Sequence, residues 1–277
     1  MAKVIFTQVR LPLFSIKHPE AFQVMSAIPF PQPSSLIGAL AYCLGIMRGI
    51  GTKAYDIVLK MVEKGEILAA RARPLGVLGE SKLPLTPSSV ILRRFRVADK
   101  AHETKRKKER KPIVRLMEAI KGDDMMSARR ILEVELTDAF YREYLMGFDL
   151  ICAWVFHGAE IDPNLLWLMP RLGDTESLCS VIRVWQEGVE LESSGKVDTC
   201  FPAPSEGVQR VEGSFMLMRI CDEQRIMRPF IIPCEYTIEK GPRGKYPVVR
   251  PSIVTIEYDH PVSYCRTSMG NIVLRGI

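Results

Sequence analysis

Histidine is scarce in this 277-residue chain, no C-x-x-C pair is present, and no long apolar run occurs. The four histidines, His18, His102, His157 and His260, stand far apart, and none lies four residues from another or in an H-E-x-x-H arrangement, so no metal-ligand spacing is present. No G-x-S-x-G turn exists and nothing specifies a Ser-His-Asp nucleophile. Gly241-Pro242-Arg243-Gly244-Lys245-Tyr246 contains part of a phosphate-binding loop. Its spacing is short, however, and Tyr246 replaces the hydroxyl residue that would hold magnesium, so it reads as a β-turn with a basic tip. The seven cysteines are odd in number, lack a C-x-x-C pair and lie mostly in apolar surroundings such as Leu150-Ile151-Cys152-Ala153-Trp154. They read as buried free thiols and not as a disulfide or zinc framework. No apolar run reaches the eighteen or so residues that span a bilayer, and Met1 to Phe6 runs straight into a strand pattern without a cleavable signal. A cytoplasmic protein, with no membrane segment, metal or cofactor, is expected.

Positive charge, by contrast, is concentrated. The segment from Arg93 to Arg115 holds eleven Lys or Arg against three acids, a net +8, whereas the whole chain carries +6. The remainder is therefore slightly acidic. Charge gathered in one internal segment is the footprint of a polyanion-binding element, and nucleic acid is the first partner to consider, although a solvated loop has the same composition.

The first eight residues after Ala2 are β-rich and lead to a proline-punctuated stretch, Pro29-Phe30-Pro31-Gln32-Pro33. A helix follows, capped by Ser34 or Ser35, with Leu36, Ile37, Leu40, Ala41 and Leu44 as its apolar face and Gly45 and Gly49 at its end. A second helix is expected from Thr52 to Glu63, then a strand from Glu66 to Arg73. Between Pro74 and about Asp138 regular patterning is lost, so this reads as a long insertion that carries the basic block. Tyr141 to Leu145 and Phe148 to Phe156 read as strands, Pro163 to Leu168 as a short helix, and Ser180 to Leu191 as a strand. Asp123-Asp124 reads as a helix cap. Beyond Gly195 the segments Ser214–Ile220, Met227–Ile232, Val248–Tyr258 and Asn271–Arg275 read as strands between Pro and Gly turns. The order implies an α+β chain: a ferredoxin-like domain over residues 1–195 with its insertion at about 74–138, and a smaller β-rich region over 196–277.

One catalytic arrangement survives inspection. Metal-independent RNA cleavage needs a base near the 2′-hydroxyl and a donor for the leaving oxygen, roles open to His, Tyr and Lys. His102 lies in the basic insert beside Lys100 and Lys105, and Tyr42 lies on the first helix.

Two segments carry a family resemblance. Ile28-Pro29-Phe30-Pro31-Gln32-Pro33-Ser34-Ser35-Leu36-Ile37-Gly38-Ala39-Leu40-Ala41-Tyr42-Cys43-Leu44-Gly45 resembles the signature that opens the first helix of the CRISPR-associated Cas-five family, part of the repeat-associated RNA-binding (RAMP) superfamily. Arg171-Leu172-Gly173-Asp174-Thr175-Glu176-Ser177-Leu178 resembles that family's second motif, and Arg142-Glu143-Tyr144-Leu145 resembles the segment that re-enters the sheet after its thumb. The C-terminal region and the length are most similar to the archaeal type I-A branch. The resemblance implies a ferredoxin-like (RRM-like) domain with a long thumb, which coincides with the basic insertion, and a smaller β region. It also implies a subunit of a Cascade surveillance complex in antiviral defence. That subunit grips the 5′ handle of CRISPR RNA and caps the filament of Cas-seven family backbone subunits, beside the large and small subunits. Most branches leave RNA processing to another protein, whereas one cleaves precursor RNA with Tyr, Lys and His. Lys100-Ala101-His102 departs from the adjacent Lys-His pair of that branch.

The residue types support graded roles. Arg93, Arg94 and Arg96 alternate with Phe95, so an extended segment presents Arg93 and Phe95 on one face and Arg94 and Arg96 on the other. Phe95 either stacks a base or anchors the thumb. Lys105, Arg106, Lys107, Lys108, Arg110 and Lys111 lack interleaved aromatics and offer sequence-independent attraction. Ser34 and Ser35 either cap their helix or help bind a phosphate. Arg171 suits a phosphate, and Gly173 suits either a close approach of backbone to RNA or a structural turn. A third reading is a basic loop that docks an acidic partner protein.

Overall fold

The computed structural model describes residues 2–18, 27–76, 78, 86–95, 110–146, 149–173, 177–241 and 244–274. They form two compact units, one of Met1–Ala21, Ser26–Ser88 and Tyr144–Ile277, the other of Phe22–Met25 and Ser89–Glu143.

At the centre of the larger unit is a four-stranded antiparallel sheet in the order β3-β6-β1-β7, made by β1 (Ala2–Arg10), β3 (Ile67–Pro74), β6 (Asp149–His157) and β7 (Ser180–Val189). Its inner strands are almost continuously apolar because both faces are covered. On one face Ile5, Val9, Ala70, Cys152 and Trp154 meet α1 (Pro33–Arg48) and α2 (Lys53–Glu63) through Leu36, Leu40, Leu44, Val58 and Val62. On the other, Val4, Phe6, Ile151, Ala153 and Val155 meet Phe201, Cys265, Ile272 and Leu274 from the C-terminal part of the chain. The fully buried Trp154 indole donates to the Leu36 carbonyl at 3.1 Å, which pins the first turn of α1 over the sheet.

Proline at the first helical position has a favourable fixed φ and lacks only an amide hydrogen that would have no partner there, so α1 begins at Pro33, with Gln32 before it. Of the two glycines expected at the helix end, Gly49 is the one that stops it: α1 runs to Arg48, and Gly49, with φ 64°, gives the left-handed turn. Gly45 is needed for packing instead. A Cβ there would stand 2.7 Å from the Gly51 carbonyl oxygen, so its bare backbone lets α2 approach. The segment Pro163–Leu168 is a 3₁₀ turn, capped by Asp162, whose side chain accepts from the Asn164 amide at 2.9 Å.

The C-terminal part contains two further sheets. One joins β8 (Leu191–Thr199), β10 (Val208–Glu212), β14 (Val254–Cys265) and β15 (Ile272–Val273); the other joins β9 (Ala203–Pro204), β11 (Phe215–Cys221), β12 (Met227–Gly241) and β13 (Gly244–Pro251). The expected strand ending at Ile232 is longer in fact. β12 pairs with β11 as far as Pro233 and with β13 from Cys234 onwards, so the proline stands where one partner replaces the other. The expected Val248–Tyr258 strand is two strands, interrupted at Ser252 and Ile253. β8 was not expected, because its polar sequence LESSGKVDT becomes a strand through its register with β14.

The segment expected to be an irregular insertion is more regular than its sequence suggests. Among its described residues it holds β4 (Thr86–Phe95), α3 (Pro112–Lys121), α4 (Met125–Arg130), a π-helical turn at Ile131–Glu135 and the start of β5 (Thr137–Met146). Leu116, Ala128, Ile131 and Leu136 make a small core of their own there. Asp124 caps α4, accepting from the Ser127 amide at 3.0 Å, and hydrogen bonding to the Ser127 hydroxyl first and this amide second holds its carboxyl below the usual range. The last residues of β5 pair with the short β2 (Leu13–Phe14).

Candidate nucleic-acid interface

Covering both sheet faces removes the flat aromatic platform on which an RRM stacks bases. A nucleic-acid contact made around this central sheet must then come from its loops and edges, where the motif segments lie.

At the start of α1, Ser34 and Ser35 lie inside the first turn and not at the cap, which corrects the expected capping role; no side chain caps this helix. The Ser35 amide donates to the Gln32 carbonyl at 2.9 Å. Gln32 reaches the end of β11, where its side-chain oxygen accepts from the Cys221 amide at 3.0 Å. The Ser34 hydroxyl hydrogen-bonds the Cys221 thiol, whose pKa is nevertheless raised, chiefly by burial. The next turn is equally fixed. Buried Asp222 accepts from the amides of Gln224 and Ile226, both at 2.8 Å, and from Arg228 at 2.9 Å. This turn projects the exposed Arg225, whose guanidinium lies 5.2 Å from the centre of the Tyr55 ring on α2. Arg225 was missed in the sequence because only tertiary pairing brings it to Tyr55 on α2.

In the second motif the two flanks are drawn together. Arg171 is exposed and bridges Leu178, while the Leu172 amide donates to the Ser177 carbonyl at 3.1 Å. Buried Ser177 accepts from the Ser15 amide and donates to the Ser15 carbonyl, each at 3.1 Å. Gly173 has φ 104°, and a Cβ there would come within 2.5 Å of Ile16 Cγ1. Close packing on Ile16 is thus reason enough for this glycine. Ile16 in turn accepts from the Ile28 amide at 2.9 Å, and Lys17 bridges Ala27, just ahead of the proline stretch and α1. Both motifs therefore lean on the same short segment, 15–17. That segment carries an exposed lysine, Lys17, which no charge run marked out.

The remaining expected site residues divide as follows. The extended backbone that the Arg93, Arg94 and Phe95 alternation requires is present in β4. Arg96, Lys100, His102, Lys105, Arg106, Lys107 and Lys108 lie outside the described residues. Tyr42, the helical member of the catalytic alternative, is 44% exposed on α1. Among the described residues no group of three or more His, Cys, Asp or Glu could hold a metal ion, and no helix is long and apolar enough to cross a membrane. All seven cysteines are free, and burial pushes the thiols of Cys43, Cys179, Cys234 and Cys265 up to about 12.

Two cations that sequence reading did not single out are interior. Arg71 and Arg73 on β3 are each 1% exposed. Arg71 pairs with Glu223, which also accepts from the Ala70 amide at 2.8 Å, and its guanidinium lies 5.2 Å from the Phe230 ring centre. Arg73 lies 5.4 Å from the Phe201 ring centre and donates to the Pro74 carbonyl at 3.0 Å.

No family model matches the chain. It is 29% identical over 237 residues to "CRISPR-associated protein Cas5" of Thermoproteus tenax, an alignment that covers 84% of this chain and 85% of that protein. Its fold is shared with a crystal structure of a CRISPR protein from Archaeoglobus fulgidus, at a TM-score of 0.50 and 16% identity, covering 99% of this chain and all of the other. A looser likeness links it to a chain of a CRISPR RNA-guided surveillance complex, with a TM-score of 0.40, 14% identity, and 92% and 90% of the two chains covered.

Proposed function

From the premise of kinship to the CRISPR-associated Cas5 family, we propose that this chain is a non-catalytic, RNA-binding subunit of a type I-A Cascade complex that holds the 5′ handle of CRISPR RNA. The observation that carries the reading is the meeting of the two motif loops on segment 15–17, which gathers Arg171, Lys17 and the start of α1 around one short stretch of backbone. Exposed arginine and lysine beside backbone amides are the ordinary means of gripping phosphates. The ferredoxin-like reading of the core draws support from the strand order, since the second, third, first and fourth core strands lie side by side and all antiparallel.

In the same reading the insertion is a thumb. Arg93, Arg94, Phe95 and Arg96 follow the RNA, with Lys105 to Lys108 adding attraction that is indifferent to sequence. Backbone subunits of the Cas-seven family and the large and small subunits are the protein partners. The test is an electrophoretic shift with labelled repeat RNA and unrelated RNA of equal length, in the presence of chelator. Preferential binding of intact repeat RNA is expected. Defined cleavage under chelator would overturn the non-catalytic assignment and point to Tyr42, Lys100 and His102; equal binding of both RNAs would overturn handle recognition.

A further inference from the structure

The hairpin formed by β12 and β13 has no part in the site above, yet one of its faces is unusual. Gly241 and Gly244 pair at its end, and Lys240 stands directly opposite Lys245. Like charges placed opposite each other across an antiparallel pair are destabilising. Neither lysine takes part in an ion pair among the described residues, and both are exposed.

Strand alternation places Tyr236 and Ile238 on the Lys240 face, and the residues paired with these three are Val249, Pro247 and Lys245, so this face carries no acid. The acids Glu235 and Glu239 alternate onto the opposite face, where Glu239 is paired with Arg250. Tyr236 and Ile238 are 53% and 66% exposed, although Cys234 and Val249 beside them belong to the core. An open aromatic ring, followed about 13 Å along the strand by two unneutralised ammonium groups, is the pairing of stacking surface and cation that single strands require.

We propose that this hairpin face is a second site, for single-stranded nucleic acid, in which the Tyr236 ring stacks on a base while Lys240 and Lys245 bind neighbouring phosphates. A polyanion relieves the repulsion between the two lysines, whereas an apolar protein surface would leave them buried and unpaired. The site is independent of handle recognition, so homopolymers suffice as probes.

The experiment is fluorescence anisotropy of the full chain with labelled oligouridine and oligothymidine of equal length. Replacing both lysines, Lys240→Gln with Lys245→Gln, is expected to reduce the log-log salt slope by about 1.4, two phosphates' worth. Tyr236→Ala is expected to weaken binding about tenfold, while Tyr236→Phe, which keeps the ring, binds as the wild type does. Losses confined to oligouridine identify RNA as the strand bound, and losses with both probes identify any single strand. Wild-type affinity and slope in the double variant and in Tyr236→Ala, with unchanged circular dichroism and melting, would overturn the proposal and leave the face to a protein partner.

Discussion

The cations of β3 and those of the motif loop and hairpin are the same residue types put to opposite uses. Arg71 and Arg73 are sealed in the interior, matched to Glu223, to carbonyl oxygens and to aromatic faces. Arg171, Lys17, Lys240 and Lys245 stand in solvent. A count of positive charge along the sequence therefore does not map a binding surface. What decides the role is whether the fold supplies a counter-charge, and for β3 it does so from a turn more than 150 residues away.

The predictions that probe this contrast run from large effects to small. Buried groups resist charging, so the greatest change is expected with pH. Cys43, Cys179, Cys234 and Cys265 rise from an ordinary 9.0 to about 12 in the folded chain. In that window the folded state keeps protons that the unfolded chain releases. Stability is then whole below pH 9 and falls as pH climbs from about 9 towards 12, which thermal melting across that range would register. Next, Arg71→Ala strands the Glu223 carboxylate in the core and is expected to cost about 3–5 kcal/mol in urea unfolding. Replacing Arg71 and Glu223 together by apolar residues of similar size should recover most of that loss; failure to recover would mean that the charges themselves, and not their pairing, are needed.

Gly173→Ala meets both a left-handed φ and the Ile16 side chain, and the conformational part alone is expected to cost about 1–2 kcal/mol. The smallest change is at the surface. Arg171→Ala is expected to leave melting unaltered while reducing the salt slope for repeat RNA by about 0.7, the share of one phosphate. A fall in melting temperature without a change in slope would place Arg171 with the structural arginines.

The contrast also marks how much could be read from residues alone. The strand from Lys3 to Arg10, both helices after the proline stretch and the capping Asp124 were legible, because each rests on local chemistry: β-rich composition, apolar residues at helical spacing, a side-chain cap. Which of Gly45 and Gly49 ends α1 was not, since the packing role of Gly45 shows only in the approach of Gly51 and Ala54. Nor was β8, which owes its form to β14, or the burial of Arg71, whose partner comes from the β11–β12 turn. The regular elements between Pro112 and Glu135 were not legible either, since Leu116, Ala128, Ile131 and Leu136 come from separate short elements and close a core only once those pack together. Of the site, Arg171 and the start of α1 were visible as motifs, while Lys17 and Arg225 reach it only through tertiary pairing.

The most direct test of the central claim, that exposed cations of this chain hold RNA phosphates, is the salt dependence of repeat-RNA binding by the full chain. With about six phosphates engaged, the slope of log affinity against log salt is expected near −4. A slope near zero would contradict the account.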